Sequence, residues 1–404
     1  MQSATPKLMP AQREPTSLAA LLAERIRKRG PMTFAEYMDA CLYDAEFGYY
    51  SKADQQARRD YFTSVDAGPL FGRLLAREFH DMWSQVGCAN PFWLVEAGAG
   101  TGTLARNVLD SAAELFPEFY RVLRYVAVER SDSRRGIQTG CVESQIARAR
   151  FASVPGLPDN IPVGCIFSNE LLDALPVHRV VRERDELREI WVGFEDGVGF
   201  HQVLRPPSSS RITDYFADQA IELREGQQAE VCLAACDWIE DAGKRLGRGF
   251  VLTIDYGHEA RELYDERHMR GTLLAYYRHR ADEDYFRAPG EQDLTAHVNF
   301  SALDLWGKHG GLVRSGLTSQ TNFLLSLARH SGYADLDSAT SSEEERIRRR
   351  LLFKTLIHPE GMGETFQVFV QHKGIDSPHL IGLDPLRLRG VCGAAQTTDR
   401  DCVS

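Results

Sequence analysis

The stretch from Phe92 to Leu104, FWLVEAGAGTGTL, constrains the fold more than any other part of the sequence. An apolar run ends on Glu96, and a segment with helical spacing begins at Thr103. Between them stand three glycines at alternate positions: Gly98, Gly100 and Gly102. This order predicts a strand, a glycine turn and a helix. Because Thr103 stands where a dinucleotide fingerprint needs its third glycine, the turn disfavours pyrophosphate binding and a nicotinamide-dependent oxidoreductase.

The same turn also indicates what it could bind. Backbone amides in a tight glycine turn are available to donate hydrogen bonds to a carboxylate, and Glu96 beside them can face a cation. Two such groups together suit an amino-acid zwitterion, such as the methionine end of S-adenosylmethionine. The alternative is a turn that only packs the strand against the helix, since short glycine motifs produce false matches.

Composition limits the partners and the compartment. The chain has 404 residues and a formal net charge of -10, which argues against nucleic acid as the main partner. Eight cysteines are scattered without a C-x-x-C pair. This spacing predicts reduced thiols in a cytoplasm-like compartment and no metal site. We find no run of about 18 apolar residues, so no membrane span is expected.

The sequence divides into several regions. A capping box formed by Thr33 and Glu36 predicts a helix near the N-terminus. Between Tyr43 and Pro69 the sequence is rich in turns and aromatic residues, which is typical of a functional loop. The expected regions are a disordered lead-in (1–16), a helical region (17–90), a main domain (91–374) and an irregular tail (375–404).

The main domain alternates apolar strands with amphipathic helices, which predicts a doubly wound α/β sheet. Residues 178–204 alternate apolar and polar side chains around short turns, as antiparallel ribbons do. A helix is predicted from Ala229 to Arg245. Residues 258–300 break the pattern with polar and aromatic residues, and we expect this insertion to cover the strand ends as a lid.

Polar residues follow two of the predicted strands directly. Glu129 ends the strand RYVAVE, where a carboxylate can accept both hydroxyls of a ribose, although it could also be a surface residue. Asn169, Glu170 and Asp173 follow the strand VGCIFS, at the edge of the sheet where open α/β folds bind ligands. The alternative for Glu170 is that it only caps the segment LLDAL.

Nine separate stretches of the chain resemble one protein family. They run from about Met32 to Lys373, and they are YMDACLYDAEFGYYS, YFTSVDAGPLFG, LVEAGAGTGTL, YVAVERS, SNELLDALPV, LTIDYG, GTLLAYYRH, PGEQDLTAHVNF and MGETFQVFV. On these stretches the chain resembles the MidA family of class I S-adenosylmethionine-dependent methyltransferases. That family includes a mitochondrial complex I assembly factor that is a protein arginine methyltransferase. SNELLDALPV and DLTAHVNF discriminate best, since E-x-G-x-G-x-G occurs in most class I methyltransferases.

The resemblance implies a Rossmann-like class I methyltransferase sheet and a set of site residues. The implied cofactor-binding residues are Glu96, Gly98, Gly100 and Gly102 for the methionine moiety, Glu129 for the ribose, and Asn169. The implied residues at the reacting groups are Glu170 and Asp173, with Asp293 and His297 approaching from the lid.

This chain departs from the family pattern at two places. The glycine turn of the family usually reads L-G-P-G-R-G, whereas this chain has Ala99 and Thr101 at the proline and arginine positions. The family pattern G-D-F-x-T-S-P-E appears from Asp60 to Asp66 without its glycine or its proline.

The resemblance implies S-adenosylmethionine-dependent methylation of an arginine in a protein acceptor, such as a respiratory-complex subunit. A guanidinium needs carboxylates that match its fork geometry, and Glu170 and Asp173 have that chemistry. His297 is the candidate for relaying the proton. The alternative, motivated by the two departures, is an assembly factor or scaffold that binds the cofactor with little or no transfer.

Overall fold

The computed structural model describes residues 17–51, 64–143, 145, 150–277, 280–337, 342–358, 363 and 365–385. The predicted lead-in (1–16), the end of the tail (386–404) and the departure at residues 60–63 lie outside these ranges. No helix in the described part of the chain has the length and the apolar content that crossing a membrane requires.

Helices and strands alternate along most of the chain. The helices are α1 Leu18–Arg29, α2 Phe34–Tyr43, α3 Pro69–Gln85, α4 Thr103–Leu115, α5 Pro117–Val122, α6 Asp132–Cys141, α7 Ser210–Ala217, α8 Leu233–Arg245, α9 Ala260–Leu263, α10 Phe300–His309, α11 Gln320–His330 and α12 Glu343–Ile357. The strands are β1 Met32–Thr33, β2 Phe92–Ala97, β3 Leu123–Val128, β4 Phe151–Val154, β5 Ile161–Asn169, β6 His178–Glu183, β7 Glu186–Glu195, β8 Gly199–Arg205, β9 Gln228–Val231, β10 Leu246–His258, β11 Leu274–Tyr277, β12 Arg280–Asp282, β13 Asp293–Thr295, β14 Val298–Asn299, β15 Val313–Ser319 and β16 Phe366–Lys373.

The main sheet has the strand order β15-β16-β10-β5-β2-β3-β4. The pairs from β10 to β4 are parallel, whereas β16 runs antiparallel to both β10 and β15. The chain builds outward from β2 in one direction and from β5 in the other, so the strand order reverses between these two strands. The predicted doubly wound α/β fold is therefore confirmed, and its switch point lies at the carboxyl ends of β2 and β5.

Helices cover both faces of this sheet. Leu94, Phe167 and Leu252 face α3, α4 and α11. Their neighbours Val95, Ile166 and Val251 face α8 and α10 on the other side. Because both faces are buried, the central strands read as continuous apolar runs rather than as alternating ones. Two hydrophobic cores, one on each face, therefore hold the sheet in place, and its carboxyl edge is available to a ligand.

A second sheet forms where the sequence predicts ribbons. Strands β6, β7 and β8 pair in antiparallel fashion over residues 178–205, which confirms the predicted ribbons. The helix predicted to begin at Ala229 begins instead at Leu233, because residues 228–231 form β9 and pair with β6. The apolar residues of this short strand continue the spacing of the following helix. The periodicity of the sequence alone could therefore not separate the strand from the helix.

The insertion at 258–300 packs against the N-terminal helices. Its strands β11, β12 and β13 form a small antiparallel sheet. Leu294 and Ala275 of this sheet share a buried cluster with Tyr37 of α2. The Tyr37 hydroxyl donates a hydrogen bond to the carbonyl of Tyr285 at 3.0 Å. The predicted Thr33 and Glu36 capping box at the start of α2 is present, and it fixes the helix that carries this contact.

Candidate active site

A cavity of about 750 Å³ opens at the carboxyl ends of β2, β3 and β5. It lies at the switch point of the sheet, where doubly wound folds bind their ligands. Its volume falls within the range of about 300–1,000 Å³ that is typical of small-molecule sites. The residues of its wall include Tyr43, Tyr50, Gly98, Glu129, Glu170 and Trp238.

The glycine turn follows β2 as the sequence predicts. All three glycines have left-handed backbones, with φ of 74° at Gly98, 52° at Gly100 and 80° at Gly102. Of the three, Gly98 belongs to the wall of the cavity. Gly102 ends the turn as the residue that precedes α4. The turn is therefore a shaped backbone with one glycine in contact with the cavity.

Glu129 ties this turn to the next strand. Its Oε2 accepts a hydrogen bond from the amide of Gly100 at 3.0 Å, and its Oε1 accepts one from the amide of Ser131 at 2.9 Å. A carboxylate offers about four acceptor positions, so these two bonds leave capacity for hydroxyls in the cavity. The structure thus brings Glu129 to the cavity wall and also gives it a role in shaping the turn.

Glu96 lies below the turn and not in the cavity wall. Its side chain faces the same core as Leu94, is 4% exposed, and accepts a hydrogen bond from the Tyr125 hydroxyl at 2.6 Å. Burial raises the pKa of Glu96 to about 8. The prediction that Glu96 faces a ligand cation finds no support in this geometry. A strand that is buried on both faces gives no alternation from which the direction of its last side chain could be read.

Four carboxyl groups gather beside the cavity, at the edge of the sheet. Glu170 and Asp173 follow β5, Asp255 lies on β10, and Asp293 lies on β13 of the insertion. Asp173 is 3% exposed, and both Asp255 and Asp293 are completely buried. Burial, followed by the charges of Asp255, Asp293 and Glu170, raises the pKa of Asp173 well above its usual range. Oδ1 of Asp173 has no hydrogen-bond partner among the described residues. The cluster is therefore a buried site with an excess of negative groups.

Glu170 belongs to both the cavity and this cluster. It has a left-handed backbone, with φ of 53°, and its Oε1 accepts hydrogen bonds from the Ser64 amide and from Nδ2 of Asn169, each at 3.0 Å. Asn169 thus supports Glu170 and is not part of the described cavity wall, in contrast to its predicted role as a cofactor ligand.

The segment after Glu170 is not the helix that this residue was considered to cap. Residues 171–177 form turns. The amides of Leu171 and Leu172 donate to Oδ2 of Asp255 at 3.1 and 2.8 Å. Burial raises the pKa of Asp255 to about 7 even though these backbone amides oppose the shift. Asp255, and not Glu170, therefore accepts the hydrogen bonds from the amides at the start of the segment LLDAL.

His297 lies on a different cavity from the one that Glu170 lines. This second cavity, of about 620 Å³, is also lined by Arg179 and His268. Ala296, the residue before His297, donates a hydrogen bond from its amide to the carbonyl of Asp173 at 2.9 Å. Burial lowers the pKa of His297 to about 4. His297 is therefore not among the described residues of the wall that Glu170 lines, and its role as a proton relay stays a prediction.

Several residues of the cavity wall were missed by sequence reasoning. At the helix α6 end of the wall, Arg130 and Arg134 lie over the rings of Tyr43 and Tyr50, at 5.3 and 5.0 Å from the ring centroids. The other missed residues include Pro155, Gly156, Leu157, Trp238 and Asp241. The aromatic stretch after α2 was a usable signal for the two tyrosines. Trp238 and Asp241 lie within helix α8, where no local pattern marks them.

Comparison with known proteins gives a consistent picture. The family model of S-adenosyl-L-methionine-dependent methyltransferases matches residues 74–318. The chain is 29% identical over 392 residues to the human mitochondrial protein arginine methyltransferase NDUFAF7, covering 89% of this chain and 84% of the relative. It is 27% identical over 416 residues to the homologue of that protein in Drosophila melanogaster, covering 93% of this chain and 92% of the relative.

A solved structure agrees over nearly the same length. A Burkholderia thailandensis protein bound to S-adenosyl-homocysteine superposes with a TM-score of 0.81 at 32% sequence identity. The match covers 90% of this chain and 94% of that one.

The relatives overturn the predicted compartment. The curated relatives are named as mitochondrial proteins, which contradicts the cytoplasmic location predicted from the cysteines. The thiols of Cys41, Cys88, Cys141, Cys165, Cys232 and Cys236 are free. Free thiols indicate reducing surroundings, but they do not identify the compartment that provides them.

Proposed function

The chain belongs to the MidA family of S-adenosylmethionine-dependent methyltransferases, and on that basis we propose that it methylates an arginine side chain of a protein acceptor. The cofactor supplies a methyl group that is already activated on a sulfonium. The task of the protein is then to align the acceptor and to take up a proton. Alignment of this kind can provide about 7–11 kcal/mol of the barrier reduction in favourable cases.

The cavity fits such a cofactor. Gly98 brings bare backbone to the cavity wall, where a Cβ would lie 2.9 Å from Cδ1 of Leu171, and Glu129 provides a carboxylate at the end of β3. We assign the methionine moiety to the backbone at Gly98, and we assign to Gly100 and Gly102 the shaping of the turn. The ribose hydroxyls are assigned to Glu129, which is the residue at the matching strand end in doubly wound folds.

The observation that carries the arginine proposal is the buried carboxyl cluster beside the cavity. A guanidinium is protonated throughout the ordinary pH range, and its planar fork of donors suits carboxylates. Burial, and then repulsion by the neighbouring carboxyl groups, raises the pKa of Asp173, and a cation bound between these groups would relieve the repulsion. We therefore assign the guanidinium to Glu170 and Asp173, with Asp293 supporting them from the lid. Either carboxylate can take up the proton that the methylated nitrogen releases.

Transfer from labelled S-adenosylmethionine into a lysate of the source organism tests this function. Label recovered as methylarginine in protein supports the proposal, and a labelled respiratory-complex subunit would support the acceptor that the family resemblance predicts. Label in another residue or in a small molecule would refute the arginine assignment. Absence of transfer by a protein that binds the cofactor would favour a scaffold instead.

Substitution of Glu129 is expected to weaken cofactor binding. Glu129→Ala should cost roughly 1.5–3 kcal/mol, the range for hydrogen bonds to a charged group. Part of this cost comes from the Gly100 amide, which loses its partner. Glu129→Gln is the matched variant, because it keeps an oxygen for that amide but removes the charge. Calorimetric titration with S-adenosylmethionine measures both, and wild-type affinity in both variants would show that Glu129 is not a ribose ligand.

Substitution of Asp173 by asparagine is expected to stabilise the fold, and the size of the gain should depend on pH. An unfolded aspartate loses its proton near pH 3.9. In the folded protein Asp173 keeps its proton to higher pH, so its contribution to stability falls as the pH rises above that value. Asp173→Asn cannot ionise, and we expect it to melt at a higher temperature than wild type at pH 8, with the difference shrinking towards pH 4.5. A shift of about 2–4 °C corresponds to about 1 kcal/mol in a large domain.

Thermal melts at the two pH values check the Asp173 prediction. The exposed residue Asp218 provides a control, since Asp218→Asn makes the same chemical change on the surface. A destabilised Asp173→Asn at pH 8, or a difference that does not depend on pH, would contradict the prediction.

A further inference from the structure

Tyr43 and Tyr50 form a matched pair at the wall of the cofactor cavity. Both rings line the cavity, and they stack on each other with centroids 5.6 Å apart and planes 30° apart. Each ring also lies under an arginine, Arg130 in one case and Arg134 in the other. Cation–π contacts of this kind hold an aromatic ring in place. The two rings therefore have closely similar surroundings.

The two hydroxyl groups have different partners. The Tyr43 hydroxyl donates to the backbone carbonyl of Ala174 at 3.0 Å. The Tyr50 hydroxyl lies 2.8 Å from Oδ1 and 3.0 Å from Oδ2 of Asp293, so it donates to a carboxyl group. Of these two hydrogen bonds, the second is the one made to a side chain of the carboxyl cluster. It spans 243 positions of the sequence and connects the N-terminal region to the lid.

Asp293 depends on such a contact. It is completely buried on β13, and its pairing partner on β11 is Tyr276. Its charge is one of those that raise the pKa of Asp173. A buried carboxylate needs hydrogen bonds to remain ionised, and a bond from a tyrosine hydroxyl supplies one. The orientation of Asp293 is therefore set in part from the cofactor side.

We propose that Tyr50 is a positioning residue for the acceptor: through its hydroxyl it holds Asp293 towards the guanidinium subsite, while its ring only lines the cofactor cavity. This inference rests on the proposed function, since it names the residue that completes the acceptor side of that same site. It assigns to the N-terminal region a role in acceptor binding that the position of the Tyr50 ring alone would not indicate.

The test uses binding, so that it does not depend on knowing the acceptor. The full chain is saturated with S-adenosylhomocysteine and titrated with N-acetyl-L-arginine amide, which carries one guanidinium and no other charge. N-acetyl-L-citrulline amide is the neutral comparison. We expect the wild type to bind the arginine amide and not the citrulline amide. Binding of neither, or of both equally, would overturn the inference. The proposed function is judged separately, by methylarginine in the labelled lysate.

Tyr50→Phe then separates the two sides of the site. We expect it to keep the affinity for S-adenosylhomocysteine within about twofold and to lower the affinity for the arginine amide by about tenfold or more, as loss of a hydrogen bond to a charged group does. Tyr43→Phe is the matched control, and any change that it causes reports the loss of a hydroxyl from the cavity wall. A parallel loss of both affinities in Tyr50→Phe, or equal losses in the two variants, would overturn the inference.

A double-mutant cycle distinguishes positioning from a general structural effect. If Tyr50 acts through Asp293, Tyr50→Phe should change the arginine-amide affinity less than about twofold in an Asp293→Asn background. A loss of the same size in both backgrounds would show that Tyr50 acts independently of Asp293, and the inference would fail.

Discussion

Replacement of Gly98 by valine is expected to abolish binding of S-adenosylmethionine while the protein remains folded. Gly98 has φ of 74°, and a Cβ built there would lie 2.9 Å from Cδ1 of Leu171, closer than real Cβ contacts come. A β-branched residue is also strained at positive φ, at a cost of about 1–3 kcal/mol. Either the turn or the Leu171 side chain must therefore shift, and both belong to the wall of the cavity. Calorimetric titration measures the loss of binding, and circular dichroism with a thermal melt confirms the fold.

Gly100 supplies the comparison for this experiment. No described atom lies within 4 Å of a Cβ built at Gly100, and this glycine is not part of the described cavity wall. From the sequence alone the two glycines appear equivalent, whereas the structure separates them. Gly100→Ala should cost only the left-handed strain of about 1–2 kcal/mol and retain most of the cofactor affinity. Full affinity in a folded Gly98→Val, or equal losses in Gly98→Ala and Gly100→Ala, would remove Gly98 from the methionine site.

The parts of the site that follow from sequence are those set by local rules. A strand, a glycine turn and a helix in immediate succession place Gly98 at the carboxyl edge of the sheet, as predicted. Glu129 and Glu170 were found for the same reason, because each stands at the end of an apolar strand. In all three cases chain order and sheet topology together determine the location.

The parts of the site that could not be predicted from the sequence depend on the direction of a side chain or on contacts between distant segments of the chain. Glu96 also ends an apolar strand, but it faces the core and bonds to Tyr125, and strands buried on both faces do not reveal this. His297 stands four positions after Asp293, yet it lines another cavity together with Arg179 and His268. Such contacts between distant segments are fixed by packing and not by local pattern.

A hundredfold or greater fall in the rate of methyl transfer is expected for Glu170→Gln, with little change in cofactor affinity. Glu170 stands where the cavity meets the carboxyl cluster, so its charge is placed to orient the acceptor rather than the cofactor. An interaction made mainly with the reacting acceptor affects the rate far more than it affects cofactor binding. We expect S-adenosylmethionine affinity within about threefold of wild type, a difference of roughly 0.65 kcal/mol. The effect on transfer matches that of removing a group that acts on the acceptor and its proton, about 10²–10⁴-fold.

Glu170 also has a structural role, and a second variant separates it from the charge. Oε1 accepts a hydrogen bond from the Ser64 amide, and this bond holds the turn before α3 against the sheet. Glu170→Gln keeps an oxygen for that contact, whereas Glu170→Ala loses both the contact and the charge. If the charge is what matters for transfer, the two variants should be equally slow while Glu170→Ala alone melts at a lower temperature. Melting temperature, cofactor affinity and single-turnover transfer should be measured on the same preparations. If Glu170→Gln turns over normally and only the unstable Glu170→Ala is slow, the catalytic assignment fails. Glu170 would then only stabilise the Ser64 turn.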